Sequence, residues 1–191
     1  MRKLLFALAI VVLPVGLLAQ DVSKGEMFGG YSLLHTGGQD FNSFNGQFTY
    51  NRSELLGLTA DVNGAYAGQS VNVGGLGGVS AHSHTYTFLF GPTLSYRKLD
   101  KFVPFGHFLV GVAHGSSSAQ TSILGGPSIN VSTSATGFGL AFGGGVDYEL
   151  NKSWAIRPVQ LDYMSVNSGG GHANAFRYAV GIVYRTASRL Y

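Results

Sequence analysis

From residue 27 to residue 185 the chain alternates, position by position, between large apolar residues and small or polar ones. In His82–Arg97 the even positions read His, His, Tyr, Phe, Phe, Pro, Leu, Tyr, and the odd ones Ser, Thr, Thr, Leu, Gly, Thr, Ser, Arg. Phe176–Arg185 sets Phe176, Tyr178, Val180, Ile182 and Tyr184 against Arg177, Ala179, Gly181, Val183 and Arg185. Phe138–Glu149, Leu56–Ala65 and Phe44–Asn51 divide in the same way. A period of two is the signature of a strand with one apolar and one polar face. Met27–His35, Phe102–His114 and Trp154–Val166 follow the pattern less cleanly and bring the expected total to eight strands. In Trp154–Val166, Arg157 and Gln160 fall on opposite parities around Pro158. A bulge at that proline, which has no N–H for a ladder, would return both to one face.

The connections carry a second pattern. Arg52-Ser53-Glu54, Lys98–Lys101 and Asn151-Lys152-Ser153 are short and polar. They alternate with longer links: Thr36–Ser43, Ala67–Ala81, Gly115–Ala135 and Asn167–Ala173. The last three of these contain no Asp, Glu, Lys or Arg. Short turns on one side and long, uncharged loops on the other are the layout of a transmembrane β-barrel.

Alternation alone does not separate that fold from a soluble barrel, but residue size does. The lumen of eight strands is just wide enough for side chains. The apolar face carries Phe, Tyr and Leu in quantity, and packing it inward would overfill the lumen while presenting an almost charge-free surface to water. Turned outward to lipid, the same face is at home and its aromatics can form girdles at the two interfaces. The small-residue face holds four acids (Asp61, Asp147, Glu149, Asp162) and four bases (Arg97, Arg157, Arg177, Arg185). Equal numbers allow the charges of a sealed lumen to pair, as burial demands. The expectation is one all-β domain, an eight-stranded antiparallel up-and-down transmembrane barrel spanning residues 20–191.

Composition sharpens this picture. Of 191 residues, 11% are charged and 13% aromatic. That excludes a disordered chain, which is charge-rich and poor in aromatics. The absence of Cys removes disulfides, thiolate metal sites and a cysteine nucleophile. Met1-Arg2-Lys3 followed by the uncharged run Leu4–Leu18 and Ala19 has the three-part layout of a secretory signal peptide, so residues 1–19 are expected to be cleaved. Without them the bases fall from 12 to 10 against 9 acids, and no basic stripe points to nucleic acid.

Candidate chemistry is sparse. His82 and His84 share one face and could grip a metal ion, but they lack a third ligand, and an amphipathic ring at a membrane interface explains them more simply. His107, His114 and His172 could complete such a site only if loops fold inward. Ser83 beside these histidines suggests a serine hydrolase, yet adjacent strand residues point to opposite faces and the orienting carboxylate is missing. GGLGG at 74–78 and GFGLAFGGG at 137–145 have phosphate-loop spacing, but neither opens a helix. No catalytic, cofactor-binding or metal-binding residue is assigned.

FGGYSLL (28–34), LLGLTADVNGAY (55–66), SHTYTFLFGPTLSYRK (83–98), FVPFGHFLVGVAHG (102–115), FGGGVDYELNKSWAIRPVQLDYM (142–164) and FRYAVGIVYR (176–185) together resemble the small OmpA-type outer-membrane β-barrel domains. The resemblance implies a monomeric barrel in the Gram-negative outer membrane, in contact with outer-membrane lipid and lipopolysaccharide. It also implies delivery by periplasmic chaperones and the barrel assembly machinery. The implied role is structural or surface-interacting, in envelope integrity or contact through the outer loops, without catalysis or cofactors. A narrow porin-like channel and a lipid A-modifying enzyme are the alternatives. Two features depart from the family. The larger members' peptidoglycan-binding domain has no counterpart in these residues, and Thr186–Tyr191 follows the last aromatic strand position. Either the assembly signal is read internally or Tyr191 extends the strand.

Overall fold

The computed structural model describes residues 22–73, 77–123, 129–168 and 171–186. Eight strands follow one another: β1 (Gly25–Thr36), β2 (Gln39–Asn51), β3 (Leu56–Val73), β4 (Gly77–Ser95), β5 (Phe102–Ile123), β6 (Ile129–Glu149), β7 (Trp154–Ser168) and β8 (Gly171–Arg185). Each pairs antiparallel with the next, and β1 pairs with β8 to close the barrel. Closure leaves the apolar band without a free sheet edge, a requirement for any sheet surrounded by hydrocarbon. Among the described residues there is no helix. The leader expected at residues 1–19 lies outside the described residues, as do Ala187–Tyr191 of the tail.

The expected parity is realised throughout. Phe88 is 56% exposed on the outer face, whereas Arg177 on the inner face is 0% exposed. The ladder between β7 and β8 shifts register between Arg157 and Gln160, and both side chains end up buried in the lumen. The proline bulge therefore does what the sequence pattern required of it. Gly143 and Gly144 belong to the ladder, where an added Cβ would collide with the carbonyl oxygens of Leu161 and Phe105. Close backbone approach, rather than any ligand loop, accounts for those glycines.

Aromatic residues ring both ends of the outer apolar band. At the end where β1 begins and β8 ends, Phe102 packs at a tilt against Tyr148 at 5.2 Å and Trp154 against Tyr184 at 4.9 Å. At the far end Tyr66 packs edge-on against Tyr86 at 6.0 Å and against His84 at 5.5 Å. From Tyr86 to Tyr96 the chain runs about 33 Å. A tilt of about 40° turns this into about 25 Å of height, the apolar band of an outer-membrane barrel.

The far end departs from expectation. The segments Ala67–Ala81 and Gly115–Ala135, read as loops, are mostly strand, as are most of Thr36–Ser43 and Asn167–Ala173. The β1–β2 connection shrinks to Gly37-Gly38, whose φ values of 57° and 76° suit a two-residue hairpin turn that other residues enter with difficulty. Pairing of β2 with β3 stops at Asn42 and Tyr66, and pairing of β6 with β7 starts at Gly137 and Ser168. Beyond those limits β3–β6 continue as a four-stranded wall that rises above the rest of the barrel. Gly, Asn and Ala, frequent in these segments, are weak strand formers on their own. Here they extend because each continues a ladder already nucleated in the apolar band.

Candidate functional site: the lumen and its far vestibule

Inward-facing positions of all eight strands place polar side chains in the lumen. Arg177 on β8 donates Nη1 and Nη2 to both carboxylate oxygens of Asp61 on β3, each at 2.9 Å, and Nε to Asp162 on β7 at 2.9 Å. Arg157, also on β7, grips Asp147 on β6 through Nε at 2.6 Å and Nη2 at 3.1 Å. Its Nη1 donates to the side-chain oxygens of Gln47 and Gln160, both at 2.7 Å. The two glutamines complete a circuit, Gln47 donating to Asp61 at 2.8 Å and Gln160 to Asp162 at 2.7 Å. The ring Arg157–Gln47–Asp61–Arg177–Asp162–Gln160 is thus closed. His107 joins it through Nε2, 2.8 Å from Asp162. The Arg157 guanidinium lies between the rings of Phe28 and Phe105, 4.4 and 4.1 Å from their centroids. Planar charge between two aromatic faces is a favourable and geometrically restrictive arrangement.

A second ionic layer closes the terminal end. Arg97 reaches Glu26 at 2.8 Å, and Arg185 pairs with Glu149 and, at 3.6 Å, with Glu26. All eight lumenal charges expected from the sequence are paired. Glu26 and His107 are the members that sequence reasoning missed. Glu26 precedes the first apolar residue of β1, where alternation had not begun. His107 shares the parity of Val103 and Leu109, and that inward parity was the available signal. Beside Arg157 and His107, between Gln47 and Asp147, lies a cavity of about 10 Å³. That is room for about one water.

Toward the far end the chemistry changes abruptly. Above Ser32, Ser43 and Asn63 lies an apolar layer of Leu34, Ala65, Leu89, Leu109, Ala141 and Met164, all buried. Beyond this layer a vestibule of about 200 Å³ opens outward.

The other candidate residues do not converge. Ser83 bonds Ser117 across the ladder at 2.9 Å, on the face opposite His82 and His84. His114 meets Thr136, and His172 meets Asn167. Among the described residues no group of three or more His, Cys, Asp or Glu could hold a metal ion.

No family model and no curated protein matches the chain. Solved structures do. Ail, the attachment invasion locus protein of Yersinia pestis, superposes with a TM-score of 0.58 at 19% identity, covering 87% of this chain and 99% of that one. A second Ail structure, in complex with the heparin analogue sucrose octasulfate, gives 0.56 at 20% identity over 86% and 97%. Neisserial surface protein A gives 0.53 at 11% over 85% and 96%. At these identities the likeness is one of fold: a small, closed, eight-stranded barrel of the outer-membrane type.

Proposed function

We propose that this chain is an integral outer-membrane barrel that does not conduct, with a structural role in the envelope and a far wall that meets the outside. The observation that carries this reading is the obstructed lumen inside an apolar belt. Two layers of paired charge and one layer of packed Leu, Ala and Met succeed one another across it. A solute would have to part a closed ring of charge-assisted hydrogen bonds, each stronger than a neutral one. The fold likeness to outer-membrane barrels supports the location. Separation of Ser83 from the histidines supports a role without catalysis.

The far wall also limits the kind of contact. No Lys or Arg occurs between Asp61 and Arg97 or between Lys101 and Asp147. A polyanion such as the sulfated analogue bound by Ail would find no fixed positive charge there, so the wall favours uncharged, hydrogen-bonding partners.

The test is electrical. Purified protein, shown to be folded by heat-modifiable gel mobility, is reconstituted in planar bilayers. Little or no conductance is expected. Large, long-lived, uniform channels would overturn the reading in favour of a porin.

A further inference from the structure

We infer that the far vestibule is a binding site for a small, uncharged, apolar molecule that enters from the far end. Its volume is about 200 Å³. An apolar cavity of about 150 Å³ takes up benzene, so a ligand of about six to eight carbons fits. Leu34 and Met164 form the floor, while Ala113, Ala135 and Ala173 contribute to the walls. No charged side chain lines it. Its polar lining is Thr36, whose hydroxyl donates to the carbonyl of Asn174 at 2.8 Å, together with Thr85, Ser168 and Asn174. The buried apolar layer beneath closes the site from the ionic ring, so it is a blind pocket rather than the mouth of a pore.

A second observation points the same way. Within the belt, outward positions are apolar and most inward ones polar, whereas above it the outward positions turn polar and the inward ones mix apolar with hydroxyl residues. The convex face of the wall shows Ser80, His82, Ser116, Ser118, Gln120, Asn130, Ser132 and Ser134. The concave face shows Ala81, Ala119, Val131 and Ala135, joined by Ile129, interleaved with Ser83, Ser117, Thr121 and Thr133. Ile129 and Val131 are 59% and 63% exposed, facing the space above the vestibule. A mouth serving only water would be lined with the residues found on the convex side. Ile129, Val131, Ala119 and Ala81 instead give the concave side an apolar share that the convex side lacks, reaching the vestibule at Ala135.

Methionine makes this testable. The chain holds Met1, Met27 and Met164. Met164 lines the vestibule, whereas Met27 is exposed on the outer belt. Protein with ¹³C-methyl methionine, refolded in lipid nanodiscs, is titrated with 1-hexanol and followed by methyl NMR. The Met164 signal should shift to saturation, while Met27 drifts in proportion to alcohol dissolved in the lipid. Hexanoate, the same chain with a charge, should bind about tenfold or more weakly. Ala135→Phe, at an exposed rim position, should fill the vestibule and abolish saturation with heat-modifiable mobility intact. Ala173→Phe on the opposite wall serves if that variant does not fold. Parallel, unsaturating drifts of both methyls, or saturation undiminished in the folded filling variant, would overturn the proposal. Loss of heat-modifiability in the wild type would instead count against the barrel reading itself.

Discussion

The belt and the wall are built from the same strands, yet the outer face changes from apolar to polar at about the level of Tyr66, Tyr86 and His114. Below that level β4 turns Phe88 and Phe90 outward and Thr87 inward; above it, His82 is outward and Ala81 inward. The backbone does not register the change, because the ladder between β4 and β5 runs through without a register shift. Surroundings set the difference. Hydrocarbon rejects unpaired polar groups and accepts Phe, whereas water makes the reverse demand. A pleated sheet offers two faces but has no preference between them, so each stretch of strand is filled according to what lies on either side.

Three substitutions would break or sharpen this contrast. The largest effect should come from the belt's interior. Arg177→Met leaves Asp61 and Asp162, both 0% exposed at their side chains, without their shared cation. About 3–5 kcal/mol of stability should be lost, read by urea unfolding in bilayers. A loss below about 1 kcal/mol would mean that Asn45, Gln47, His107 and Gln160 suffice for those carboxylates. On the belt's exterior, Phe88→Arg should cost about 2–4 kcal/mol in the same assay. The smallest effect belongs to the wall: Ser118→Arg, on the convex face, should stay within about 0.5 kcal/mol of wild type. Equal costs at Phe88 and Ser118 would place both in the same medium and erase the distinction.

The same contrast explains what the sequence disclosed. In the belt, large and small residues alternate, so strand count, facing and the lumenal charges were legible from residue order, including the bulge at Pro158. In the wall, Ser, Thr, Gly and Ala alternate with one another. Neither face differs enough in size or polarity for a period to register, and the segments read as loops although they are strands. The vestibule escaped for a related reason. The layer at its base combines Leu34, Leu89, Leu109 and Met164 from four strands, single apolar residues on a face that otherwise reads as polar or small, as in Ser32, Thr87, Gly91, Gly111 and Asp162. Only the register brings them into one layer. Which carboxylate meets which guanidinium was likewise out of reach, since Arg177 finds Asp61 across 116 positions of chain.

That long separation bears on when the lumenal ring can form. Arg157 and Gln47 are 110 positions apart, and closure pairs Glu26 with Arg185. None of these contacts exists until nearly the whole chain has been delivered and the last strand has found the first. Contacts so distant in sequence are expensive to form early, because the intervening chain must be ordered first. The ring therefore works as a latch that engages after insertion rather than as a guide that speeds it. Interactions absent from the transition state slow escape from the folded state. The deficit of Arg177→Met should accordingly appear as faster unfolding in urea at an unchanged rate of insertion into vesicles. A slowed insertion with unchanged unfolding would move the ring to the beginning of assembly.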